Sequence, residues 1–388
     1  MATGWAEASE RDGFAGGEPG PYSVGPLSDS QTRRKAIVAP TTGTLRDVAQ
    51  RAGVHAGTAS RALNPATRSL VNPETARRVL AAAEELGYQP NPLARGLKTK
   101  RSSTIGVLVP DLTNPLFPPI VRGIEDTLAK VGYTALLANS DNNSDQERRH
   151  FETMAGRQVE GFIMATAVRD HPLIEDAIAE DVAIVLVNRT VDSDRAFAVI
   201  TDDHKGASLA VEHLVGLGHT RIAHMVGPER FSTGRARHQG FRDAMERAGL
   251  KPDRSLIRLT KGFLETEGAR VFRLLMENKP DLTAVFAGND LLALGCYDVM
   301  AELGIRCPED ISVVGYNDIP FLDKLRPPLT TIRIPHYEMG VRATDLLLRR
   351  LADPSMDPVT LQLEPELVVR GSTSTPARKA AGRAATTG

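Results

Sequence analysis

Cysteine is nearly absent: Cys296 and Cys307 are the only two among 388 residues. They match no metal or redox spacing, so neither a disulfide scaffold nor a zinc module is expected. Long apolar runs are missing too, and no stretch reaches the length that crosses a bilayer. The opening segment, "MATGWAEASERDGFAGGEPGPYSVGPLSDS", is rich in Gly, Ser, Pro and acids and holds no apolar signal core. Neither export nor membrane association is therefore expected. An excess of one charge is also lacking. The 47 Lys and Arg against 48 Asp and Glu leave −1, so any affinity for nucleic acid has to come from local asymmetry.

Catalytic signatures are absent as well. There is no Walker loop, no G-x-S-x-G elbow, no H-E-x-x-H and no G-x-G-x-x-G after a strand. His213, His219 and His224 are too spread for a standard metal site. A non-enzymatic protein without cofactor or metal is expected.

Local asymmetry is present near the N-terminus. Thr44-Leu45-Arg46-Asp47 reads as a capping box, and Leu45, Val48, Ala49 and Ala52 recur at helical spacing. Gly53 permits a tight turn, and a second helix is predicted from about Ala56 to Leu63, with Ala59 and Leu63 facing inward. Small residues at 49 and 52 let two helices cross closely. An ordinary helical hairpin carries the same local signals. A third helix starts at Asn72-Pro73 and stops at Gly87, burying Ala76, Val79, Leu80, Ala83 and Leu86. Residues 44–101 hold ten basic side chains against four acidic ones, a net of +6. A near-neutral chain with so basic a headpiece has the asymmetry of a DNA binder.

From Thr104 onward, strand-like runs alternate with amphipathic helices: "TIGVLVP", "TALLAN", "GFIMA", "AIVLVN", "RIAHMVG", "TAVFAG" and "ISVVGY". Ile120, Val121, Ile124, Leu128 and Val131 share one face of the first such helix. This repetition predicts parallel sheets covered by helices, in two lobes because the segment is too long for one sheet. Polar residues gather after the strands: Asn139 to Asp141, Asn188, Asn289-Asp290 and Asn317-Asp318. In open α/β sheets ligands bind at such ends, although Asn and Asp also serve there as turn formers.

Two stretches, "TLRDVAQRAGVHAGTASRALN" and "VNPETARRVLAAAEELGYQPNPLARGLKTKRS", resemble the headpiece and hinge of the lactose/galactose repressor (LacI/GalR) family. "NPLF", "GIEDTLAKVGY", "VEHLVGLGHTRIAHMVGP", "AVFAGNDLLALG", "DISVVGYND" and "PPLTTIRIP" follow in that family's order. The resemblance implies an α/β architecture: a three-helix helix-turn-helix headpiece and hinge, then a two-lobed, doubly wound, periplasmic-binding-protein-like domain. It implies a headpiece over 43–90, a hinge over 91–103 and an effector and dimerisation domain over 104–372. Within that domain the N-lobe would take 104–200 and 334–355, the C-lobe 202–331 and 360–372, with three crossovers. Residues 1–42 and 373–388 are expected to be disordered.

The same resemblance assigns DNA contact to Thr44, His55, Ala56, Gly57, Thr58, Ser60, Arg61 and Asn64. His55 stands at a cap position that is usually Ser. In the hinge, Asn91, Ala94, Leu97 and Lys98 would enter the minor groove, with Leu97 wedged between base pairs. Phe117, Asn188, Arg237, Phe263, Asn289 and Asn317 would line the effector cleft. Position 317 is often Asp in sugar-binding relatives. The implied protein is a cytoplasmic, nucleoid-associated repressor, bound to a palindromic double-stranded operator and controlled by a small polar molecule. The tail has no heptads, so a homodimer is expected. A corepressor-dependent or activating regulator would share these features; a solute-binding sensor would not need the headpiece.

Overall fold

The computed structural model describes residues 43–65, 67–88, 102–277 and 281–377. The expectations for 1–42, for Asn91, Ala94, Leu97 and Lys98, and for 378–388 lie outside these residues. The chain splits into two compact units, Met1–Asn91 and Pro92–Gly388. Among the described residues, no helix is long and apolar enough to cross a membrane.

The first unit has α1 (Leu45–Ala52), α2 (Ala56–Leu63) and α3 (Pro73–Glu85) around a core of small residues. Thr44 Oγ1 accepts from the Asp47 N–H, and Asp47 accepts from the Thr44 N–H, closing the expected box. Gly53 takes the left-handed conformation at φ 67°. In α2 the buried pair is Ala59 and Ala62, with Leu63 only half-buried. Leu63 still packs against the headpiece core, as expected.

In the second unit, β1 (Thr104–Val109), β2 (Thr134–Asn139), β3 (Gly161–Met164), β4 (Ile184–Val187) and β5 (Phe197–Thr201) belong to one sheet. Strands β6 (Ile222–Val226), β7 (Ile257–Leu259), β8 (Ala284–Ala287), β9 (Ser312–Asn317) and β10 (Thr330–Arg333) form the second. β11 (Thr360–Leu363) and β12 (Glu366–Val368) complete them. The first order is β11-β5-β4-β3-β1-β2, all parallel; the second is β12-β10-β9-β8-β6-β7, with only β12 antiparallel. The chain changes sheet after β5, after β10 and after β11.

The helices are α4 (Phe117–Lys130), α5 (Ser144–Gly156), α6 (Pro172–Ala179), α7 (Asp203–Gly216), α8 (Ser232–Arg247), α9 (Glu265–Glu277), α10 (Asp290–Leu303) and α11 (His336–Ala352). α4 and α11 pack backbone to backbone: a Cβ added at Gly340 would lie 2.1 Å from the Ile120 carbonyl oxygen.

Three expectations need correction. Thr360–Leu363 does not belong with the second lobe; it pairs with β5 in the first sheet, Leu361 opposite Val199. Val131 is not on the buried face of α4 but past its end, 55% exposed. Residues 373–377 are not a free tail. Thr373 Oγ1 lies 2.9 Å from His213 Nε2, and the Ser374 carbonyl accepts from His219 Nε2 at 2.8 Å. The Ser374 N–H also donates to Ser312 Oγ.

Candidate functional site

The headpiece presents α2 through its caps. His55 is the N-cap residue, and its Nδ1 accepts from the Gly57 N–H at 3.1 Å. An imidazole therefore does what a Ser hydroxyl does elsewhere, and the cap requires an unprotonated Nδ1. At the other end, Arg68 Nε donates to the Ala62 carbonyl and Thr67 Oγ1 to the Arg61 carbonyl. These two bonds satisfy carbonyls that a short helix leaves open. Ala56, Thr58 and Ser60 are half-buried, as is Asn64 at the C-cap. Arg61 is exposed, and its Nε returns to the Gly57 carbonyl at 3.2 Å. The arm lies along its own helix over a residue without a Cβ. Six of the ten basic residues counted in the sequence are described, against all four acids, so most of the +6 belongs to residues 95–101.

The effector candidates converge in the second unit, past the C-terminal ends of both sheets. Asn188 follows β4 at φ 68°, and Asn317 ends β9 at φ 115°. Positive φ at a non-glycine residue costs energy and clusters at ligand sites. An inner chamber is lined by Asn114, Asn188, Arg189, Arg237, Phe263, Asn289 and Asn317, among others. It shares Asn114, Arg189 and Phe263 with an outer chamber of about 420 Å³, which Phe117 also lines. All six expected residues are therefore brought together. Phe117 is otherwise core, 1% exposed.

Arg237 is firmly held. Nε donates to Asp203 Oδ1 at 2.8 Å, Nη1 to the Gly288 carbonyl at 2.7 Å and Nη2 to Asn317 Oδ1 at 3.3 Å. Its guanidinium carbon stands 3.7 Å from the Tyr316 ring centroid. Burial pushes the Asp203 carboxyl above the usual carboxylate range, and Arg237 opposes that shift. Asn289 has a structural duty as well: its Oδ1 caps α10 through the Leu292 N–H.

One residue that the sequence reading passed over is Arg189. It is 5% exposed, lines both chambers, and stacks its guanidinium 3.7 Å from the Phe231 centroid. Its Nε and Nη1 have no hydrogen-bond partner. Burial, with Arg237 and Arg230 nearby, pushes its pKa down to about 9, against the pull of Glu147. Glu147 itself is occupied, accepting from Thr166 Oγ1 and lying 3.3 Å from His171 Nε2. The available signal was position alone: Arg189 directly follows Asn188 at the end of an apolar strand.

Comparison with known proteins bears on both sites. Residues 44–91 match the family of bacterial regulatory proteins, lacI family, and residues 211–373 match a periplasmic binding protein-like domain. The ribose operon repressor of Escherichia coli is 35% identical over 331 residues, covering 85% of this chain and 99% of that one. Among solved structures, a lac repressor dimer bound to operator and an anti-inducer has a TM-score of 0.77 at 29% identity. It covers 86% of this chain and 99% of its own. A LacI family regulator from Enterococcus faecium with bound ribose has a TM-score of 0.62 at 34% identity, covering 71% and 100%.

Proposed function

Because the chain belongs to the lacI family of bacterial regulatory proteins, we propose that it is a transcriptional repressor that binds a palindromic operator as a homodimer. The observation that carries this is the union, in one chain, of a capped helix-turn-helix with a polar cleft. In this reading α2 enters the major groove. Arg61 swings off Gly57 and takes guanine O6 and N7, while Thr44, Thr58, Ser60 and Asn64 hold phosphates or base edges. Ala56 and Gly57 bring no side-chain hydrogen bond, so the backbone comes close there. Asn91, Ala94, Leu97 and Lys98 pass into the minor groove at the operator centre, where Leu97 opens a base step.

The effector is a sugar or related polar metabolite. Asn188 and Arg189 reach it from the first lobe, Arg237, Phe263, Asn289 and Asn317 from the second. A molecule that touches both lobes favours one lobe arrangement over another. Its differential affinity is the coupling that alters operator binding, typically about 1–3 kcal/mol. The relatives named for ribose support a sugar. The protein acts in the cytoplasm, at the nucleoid.

Footprinting of the full chain on DNA selected from random sequence tests the assignment. A symmetric protected site is expected, and a sugar that weakens protection marks an inducer, one that strengthens it a corepressor. Absence of any sequence preference would refute the operator-binding role.

A further inference from the structure

The two arginines of the inner chamber are not equivalent. Arg237 has its own carboxylate, Asp203, at 2.8 Å. Arg189 has no carboxylate in contact: Glu147 acts on it only through its field, its oxygens meeting Thr166 and His171 instead. The residues lining the inner chamber include both arginines and no carboxylate; its other polar members are Asn114, Asn188, Thr233, Asn289 and Asn317. A buried cation with no counter-charge in contact is costly. A fold keeps such a group where something else supplies the charge.

The outer chamber extends the pattern. Arg230 and Lys261 line it together with Arg189. Asp111 and Asp141 line it too, hydrogen-bonded by the neutral donors Thr113 at 2.6 Å and Asn139 at 2.5 Å, so three cations face two carboxylates and the lining stays net positive. Phe231, Phe263 and Phe117 line it as well, with Phe231 and Phe263 stacked at 6.1 Å. Aromatic faces suit the apolar face of a sugar ring, and Arg189 and Arg230 lie over the Phe231 ring at 3.7 and 4.5 Å, which leaves Phe263 as the ring for that role.

We propose that the effector is an anionic polyol, carrying a carboxylate or a phosphate, and that Arg189 receives this group. The inference rests on the polar-effector reading above and narrows it. A neutral sugar offers hydroxyl oxygens to Arg189 but leaves its charge unbalanced. A carboxylate or phosphate accepts two parallel N–H bonds from one guanidinium and cancels the charge as well. Asn at positions 188 and 317, rather than Asp, agrees with this. Two carboxylates there would neutralise the arginines and repel an acidic ligand.

Calorimetric titration of the full chain with matched series tests the assignment: a pentose and a hexose, each as the free aldose, the aldonate and the terminal phosphate ester. Inorganic phosphate is included as a probe of thermal stability. An acid or ester is expected to bind more than about tenfold tighter than its parent aldose, as for a hydrogen bond to a charged group. Which arm binds separates carboxylate from phosphate. Arg189→Gln is expected to remove the preference, and Arg189→Lys to keep part of it. If the free aldoses bind as tightly as their acids and esters, the anion assignment falls and the polar-effector reading stands. If no member of any series binds and phosphate leaves the melting temperature unchanged, both fall.

Discussion

The guanidinium of Arg189 stands 3.7 Å from the ring centroid of Phe231. Arg189 follows β4 of the first sheet, and Phe231 precedes α8 on the second. A cation and a ring therefore bridge the two lobes beside the chamber where a ligand would bind. Arg230 lies over the same ring at 4.5 Å, so two cations share the Phe231 ring.

Phe231→Leu keeps apolar bulk and removes the ring. The variant is expected to weaken effector binding by about 0.5–2 kcal/mol, the range for a partly desolvated cation–π contact. Calorimetry on both proteins gives the difference. An unaltered affinity would mean that the bridge does not depend on the ligand-binding arrangement.

Arg61→Ala is expected to abolish discrimination between operator and random DNA while the fold persists. Each bidentate Arg–guanine contact is worth about 1–3 kcal/mol, and a dimer makes two. Titrations against both DNAs at one salt concentration measure the ratio. Retained discrimination would assign Arg61 to the α2 surface alone, where its Nε already meets the Gly57 carbonyl.

His55→Ala should fray the start of α2 at a cost of roughly 1 kcal/mol, the usual worth of an N-cap side chain. His55→Ser should not, because a hydroxyl can accept from the same N–H. Amide exchange at Gly57 is the direct readout. It should quicken in the alanine variant and stay slow in the serine variant. Equal rates in wild type and both variants would show that the bond to Nδ1 contributes nothing.

Asp290 makes stability depend on pH. It is fully buried and accepts from Thr331 Oγ1 at 2.5 Å and from the Ile319 N–H at 3.0 Å. Burial is the main cause that raises its pKa to about 7, from an ordinary value of 3.8. The folded state therefore binds a proton that the unfolded state has released, so stability favoured by that proton is present at low pH. It is lost as pH rises from about 4 through about 7. Asp290→Asn cannot titrate, so wild type should lose stability relative to the variant over this window. Urea unfolding across the range measures the difference, and a pH-independent gap between the two proteins would contradict the shift.

The headpiece was legible because its signals are local. A capping box at Thr44, a left-handed Gly53 and an Asn72-Pro73 start are each written in adjacent residues. The backbone answers them without help from distant chain. Alternation of apolar strands and amphipathic helices likewise determined two parallel sheets, since residues buried on both faces read as continuous apolar runs. The candidate cleft residues could be named because strand ends and motif order are also linear features. The tertiary structure alone decided what those features do not encode. β11 joins β5, far earlier in the chain, and Ser374 docks on His219, because edge strands and tails take whichever partner lies nearest in space. Asn289 is spent partly on its own helix, and Arg237 is neutralised by Asp203 while Arg189 is not. Whether a buried charge is balanced depends on which side chains converge from separate elements, and no contiguous stretch of sequence holds that information.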